Sequence, residues 1–239
     1  MKVNQNKGNK SWEAINLNNL GVVAAWQGEG RTAQEFQETS LALFQSLDDD
    51  WGIAMAQSDL GAALLLQGDH MGAAACCKES LKRRWQIKDN RGIASALREL
   101  AGVAMATARH DRSKIQYEAA LGLSMNLRDR GGMIEALEGL AAVARVRGEA
   151  EHTVRLYAAA RAFRDHLRFA IPPAAAATRE HQLNKAKSAL GGEHYQQIQE
   201  AAANLSLDDI DEVAREALEG PPPSIEHVLE LSLHKEAKT

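Results

Sequence analysis

Along this chain a leucine followed by a small residue returns every 40 positions, as Leu20-Gly21, Leu60-Gly61, Leu100-Ala101 and Leu140-Ala141. Gly28, Gly68 and Gly148 keep the same phase. Between these marks the apolar residues recur at steps of three and four. Ile15, Leu17, Leu20, Val23, Ala24 and Trp26 form one such set, and Ala33, Phe36, Leu41, Phe44 and Leu47 a second beyond Gly28-Glu29-Gly30. That period is the mark of an amphipathic helix, and glycine between two such runs marks a turn. Each 40-residue unit therefore predicts two antiparallel helices, with units opening at Trp12, Gly52, Gly92 and Gly132. Asp48-Asp49-Asp50 joins the first unit to the second, where its carboxylates are placed to cap the next helix and face its positive end. In the third unit Ala108 replaces the turn glycine, which predicts a less left-handed turn or a longer first helix.

Self-similarity at this period means a stack of small units that share one continuous core, since none buries its apolar face alone. The fold class that follows is all-α: a right-handed α-solenoid of four helical hairpins with a C-terminal helical cap. Residues 1–10 are polar and aperiodic and read as a disordered start, and residues 11–169 carry the repeats. Over 170–219, Pro172-Pro173 interrupts, a helix over 174–190 stops at Gly191-Gly192, and another runs over 193–204. Ser206-x-x-Asp209 is then a capping-box pattern ahead of Ile210, Val213 and Ala214. Residues 220–239 hold Gly220-Pro221-Pro222-Pro223, a stiff break, and a short helical tail.

At this point the chain resembles the tetratricopeptide-repeat family. The resemblance rests on Leu20-Gly21 and Leu60-Gly61, on Gly28, Gly68 and Gly148 at the turns, and on small residues at Ala33, Ala73, Ser40, Ser80, Ala120 and Ala160. The family's aromatic in the second helix is matched by Tyr117 and Tyr157 and departs to Gln37 and Cys77. Units are about six residues longer than the 34-residue form. Val154 to Arg164, Ile171-Pro172-Pro173, Ala189-Leu190-Gly191 and Leu205 to Asp209 are similar to the end of the repeat region in LuxR-type and MalT-like bacterial ATPase transcriptional regulators. The likeness spans about residues 12–219 and implies a regulatory or signalling setting; residues 1–10 hold no apolar signal core, and the expected location is the cytoplasm. The phosphate loop G-x-x-x-x-G-K-[ST] of those regulators does not occur in the sequence, so a free-standing adaptor and a fragment of a larger regulator both fit.

Composition narrows the function further. With 239 residues, 45% hydrophobic and 25% charged, the chain has the make-up of a globular protein, and its 5% aromatic content with abundant alanine suits close-packed helices. A net charge of −4 without a Lys/Arg block gives no footprint for nucleic acid. No apolar run reaches the length of a membrane helix. Cys76 and Cys77 are adjacent, unsuited to joining distant segments, and read as small buried thiols. The eight histidines form no H-E-x-x-H pair, Asp48-Asp49-Asp50 lacks the later glutamate of a calcium loop, and no G-x-S-x-G is present. The expectation is a non-enzyme with no cofactor and no metal.

What remains is a surface. In a tetratricopeptide stack the first helix of each hairpin lines the concave side. That register places Asn18, Trp26, Ser58, Arg98, Glu135, Glu138 and Arg145 on it, among apolar Val22, Ala25, Ala62, Leu65 and Leu66. Apolar walls with a few charges suit a captured helix or peptide. Set against this, Trp26, Leu65 and Leu66 fit equally well as core between units, and Arg98, Glu135, Glu138 and Arg145 as an internal ion-pair set. The function expected is a protein- or peptide-binding scaffold. The alternative is a small-molecule sensor that closes on an effector in the groove.

Overall fold

A computed structural model describes residues 2–168, 173–218 and 220–233 of the chain. Among the described residues there are twelve helices and no strand. The first eight are α1 (Lys2–Trp26), α2 (Gly30–Leu47), α3 (Asp50–Leu66), α4 (His70–Gln86), α5 (Asn90–Ala106), α6 (His110–Asn126), α7 (Arg130–Val146) and α8 (Ala150–Leu167). Then follow α9 (Pro173–Leu190), α10 (Gly192–Ala203), α11 (Leu207–Glu216) and α12 (Ile225–Leu233). This is the all-α, tetratricopeptide-like succession of helical hairpins that the 40-residue period predicts. None of these helices is long and apolar enough to cross a membrane.

The backbone repeats at half the sequence period. From α2 to α8 a helix begins every 20 residues, and α1 to α8 are each followed by a residue of positive φ: Gly28, Gly68, Ala108 and Gly148 after first helices, Asp48, Lys88, Arg128 and Arg168 after second ones. Aspartates at equivalent places then cap the next helix. Asp49, Asp69, Asp89 and Asp129 accept from the amides of Gly52, Gly72, Gly92 and Gly132 at 3.0, 2.8, 2.9 and 3.3 Å. The same side-chain oxygen thus satisfies an amide that the helix itself leaves open.

Two details differ from the sequence reading. Ala108 adopts φ 58°, so the third turn is as left-handed as the glycine turns; the short three-residue link imposes that conformation whichever residue stands there. Helix α1 starts at Lys2, ahead of the apolar pattern that begins at Trp12. Once the later turns are formed, adding helical residues needs no further nucleation, and this stretch holds no proline. The interruption expected at Pro172 lies outside the described residues.

The chain divides into two compact units, Met1–Val103 and Ala104–Thr239, the division falling within α5. In the first, α1 pairs with α2 and α3 with α4, around buried Ala14, Phe44, Ile53 and Ala56 and a second small cluster of Ala24, Ala33 and Ala63. Gly52 is required there, because a Cβ on it would overlap the Phe44 ring. In the second unit α6, α7 and α8 share a core of Leu121, Ile134, Leu137, Leu156 and Phe163, which α11 closes with Ile210 and Ala214. The capping box of α11 is formed: Ser206 Oγ accepts from the Asp209 amide at 3.2 Å while the Asp209 carboxylate accepts from the Ser206 amide at 2.8 Å. Helix α12 rests on α6, with Gln116 donating to Ser232 Oγ at 2.9 Å and Pro222 against Gly122.

One asymmetry marks α1. Leu20 is 50% exposed, whereas its equivalents Leu60, Leu100 and Leu140 are at most 7% exposed. Trp12 stands where later units have Gly52, Gly92 and Gly132.

Candidate functional site

The first unit contains an apolar groove of about 350 Å³ between α1 and α3. Val22, Ala25 and Trp26 of α1 form one wall and Ala62, Leu65 and Leu66 of α3 the other, while Gln37 of α2 and Asp59 of α3 supply its polar groups. Trp26 and Leu66 are more than half exposed at the rim. The floor is built from the repeat itself. Gly21 carries no side chain, and the space its Cβ would fill holds the Gln37 amide, which reaches across to donate to the Asn18 carbonyl at 3.0 Å. Asn18 Nδ2 in turn donates to the Asp59 carboxylate at 2.8 Å. Two side-chain oxygens remain without a partner, Gln37 Oε1 and Asn18 Oδ1.

The Asn18–Asp59 bond joins successive first helices, and its 41-residue spacing recurs. Ser58 donates to Glu99 in the first unit, and in the second Arg179 of α9 meets Glu138 of α7 at 3.3 Å. Helix α9 therefore continues the register of the repeats into the cap. Glu138 also receives Arg164 at 2.7 Å. Burial, with Glu99 nearby, pushes the Asp59 carboxyl up to about 7, while its bond from Asn18 and the charge of Arg84 pull the other way. Burial raises Glu99 as well. Cys77, whose Sγ lies 3.7 Å from Glu99, is held well above its ordinary value by burial first and Glu99 second, so it stays a thiol.

The seven residues singled out by register divide between the units. Asn18 and Ser58 are buried, 3% and 2% exposed, and bond to Asp59 and Glu99. Trp26 alone of the seven lines the groove. Arg98 is half-buried in the first unit. In the second unit Glu135 is exposed, Glu138 is tied to Arg164 and Arg179, and Arg145 is half-buried with no partner for its Nε. Sequence reasoning passed over Gln37 and Asp59, yet both carried a signal. Gln37 is a polar residue at the family's aromatic position, and Asp59 sits one repeat before the acidic Glu99.

A larger hollow of about 460 Å³ lies between α8 and α10 in the second unit, bordered by Arg161, Asp165, His166, Gln196 and Glu200. Binding sites are mostly apolar with a few converging polar groups, which describes the smaller groove better. Among the described residues no three His, Cys, Asp or Glu side chains gather to hold a metal.

Comparison with known families places this groove. Residues 12–84 match a family model. The match is to the tetratricopeptide repeat. It covers under a third of the chain and takes in the first two hairpins, so every residue of the groove lies inside it. Tetratricopeptide repeats are non-catalytic scaffolds that mediate protein–protein interaction. No curated protein matches the chain.

Proposed function

We propose that this chain is a non-catalytic scaffold that binds a protein or peptide segment in the groove between α1 and α3. The observation that carries the reading is the conjunction of exposed Trp26 and Leu66 with an otherwise apolar wall, within the stretch that matches a protein-binding repeat. Large aromatic side chains in a partly desolvated groove are the usual anchors of an interface. Asn18 and Ser58 act beneath it as spacers that set the separation of successive first helices. Arg98, of the same unit, belongs to the concave register and steers which segments approach; Glu135, Glu138 and Arg145 lie in the second unit.

The setting that fits is a regulatory or adaptor assembly in the bacterial cytoplasm. Its support is the likeness of Val154 to Arg164 and of Leu205 to Asp209 to the closing segment of LuxR-type and MalT-like regulators. Residues 11–169 serve as the repeat array, 170–219 as its cap, and 220–239 as a linker with a helical tail.

Binding is tested by titrating the full chain into a degenerate library of dye-labelled 12-residue helical peptides and following the anisotropy of the dye. Trp26→Ala with Leu66→Glu changes two exposed side chains, so helicity and melting stay as they are while affinity drops at least tenfold. Unchanged affinity in the double variant moves the site elsewhere.

A further inference from the structure

We propose that the groove between α1 and α3 selects a segment presenting an apolar side chain beside a basic one, the lysine or arginine head meeting the Asp59 carboxylate at the floor. This rests on the reading of the groove as a peptide site and names what that site prefers.

The argument is one of donors and acceptors. Both buried amides have their NH2 ends engaged: Gln37 Nε2 donates to the Asn18 carbonyl at 3.0 Å and Asn18 Nδ2 to Asp59 at 2.8 Å. That fixes which end of each amide is oxygen. Gln37 is 1% and Asn18 3% exposed, yet Gln37 Oε1 and Asn18 Oδ1 accept from nothing. Of these, Gln37 borders the groove together with Asp59, so the floor carries acceptors, with Asn18 bonded to Asp59 behind it. A buried acceptor without a donor carries a desolvation cost, and a ligand that brings the donor relieves it.

Charge points the same way. The cation nearest in effect, Arg84, is committed to Ser80 Oγ at 3.0 Å and to Asp89 at 2.9 Å. Glu99 adds a second acidic group behind Asp59 and is itself held by Ser58 and Ser95. An acidic segment would therefore meet repulsion, an apolar one would leave the acceptors unmatched, and a neutral donor would satisfy them without matching the Asp59 charge. At the rim the exposed Trp26 ring offers a face on which a cationic stem can lie. Around it Val22, Ala25, Ala62 and Leu65 take the apolar neighbour.

Recognition of a cation needs the carboxylate ionised. Burial and Glu99 set Asp59 near pH 7, with Arg84 of α4 opposing and Cys77 of α4 contributing no charge while it remains a thiol. Affinity for a basic segment then falls as pH drops through 7, by about tenfold between pH 8 and pH 6.

The test uses the full chain and a positional library of 12-residue acetylated peptides. Each position is fixed in turn as Lys, Arg, norleucine, Gln or Glu. The best lysine peptide and its norleucine counterpart are then titrated calorimetrically at pH 8 and pH 6 against wild type and Asp59→Asn. Expected is selection of Lys or Arg next to a Leu, Ile or Phe position and a lysine peptide at least tenfold tighter at pH 8. That advantage shrinks at pH 6 and disappears in Asp59→Asn, where the lysine and norleucine peptides bind alike. Peptides that bind without a basic preference, or an advantage that survives Asp59→Asn, overturn this proposal and leave the groove as a peptide site. A library from which nothing binds overturns both. If Asp59→Asn fails to fold, the pH arm on wild type decides alone: a lysine advantage that is the same at pH 8 and pH 6 overturns the proposal.

Discussion

The Asn18 amide donates to the Asp59 carboxylate at 2.8 Å across 41 residues of chain, a polar bond set between α1 and α3 beside the apolar walls of the groove. Ser58 and Glu99 repeat it one unit on. Each bond fixes the spacing of two first helices, and each places a carboxyl group where water is scarce. The stability of the first unit should therefore respond to pH in an unusual direction.

Asp59 has an ordinary value of 3.8 and is pushed up to about 7 in the folded chain, chiefly by burial. Between those values the folded chain holds a proton that the unfolded chain has lost, so stability declines as pH rises through the window. Glu99 is shifted in the same direction. Melting followed by circular dichroism should give a higher temperature at pH 5 than at pH 8. Asp59→Asn should flatten the dependence and raise the pH 8 value; a flat wild-type profile would count against a buried carboxyl.

Gly52→Ala tests the packing notch beneath Phe44. The added methyl overlaps a ring that is itself fully buried, so the neighbouring helices must part. A loss of about 1–3 kcal/mol in urea unfolding is expected. Gly8→Ala, where a Cβ meets nothing, should cost nothing measurable.

Ala108 at φ 58° occupies a conformation that glycine adopts without strain. Ala108→Gly should stabilise the chain by about 0.5–1 kcal/mol, and Gly148→Ala, at φ 80°, should lose a similar amount. Opposite shifts in melting temperature for the two variants are the signature to look for.

Removing the exposed cap at Asp69 leaves the Gly72 amide without its side-chain acceptor. Asp69→Ala should cost about 1 kcal/mol, and Asp69→Asn or Asp69→Ser should recover most of it. Hydrogen exchange at the first turn of α4 reads the effect locally.

Much of this architecture was legible in the sequence because its causes are local. The step of three and four among Ile15, Val23 and Ala24, and the leucine and glycine marks 40 residues apart, specify helices, turns and stacking without reference to anything distant. The capping box at Ser206 was legible for the same reason. The groove floor was not. Asn18 projects from the expected face of α1 but is turned to Asp59, and the Gln37 amide passes over Gly21; both facts depend on contacts between helices that a single strand of letters does not display. The conformation of Ala108 was missed because residue preference is weak beside the geometry of a three-residue link.

Trp12 occupies the place that glycine holds in the three later units, where the bare backbone at Gly52 and Gly92 makes room for Phe44 and Arg84 of the preceding second helix. The Trp12 side chain, itself 68% exposed, would overlap any such side chain brought against that place. Lengthening the array by grafting a copied hairpin ahead of α1 thus takes Trp12→Gly together with the graft, since otherwise the incoming phenylalanine has nowhere to rest.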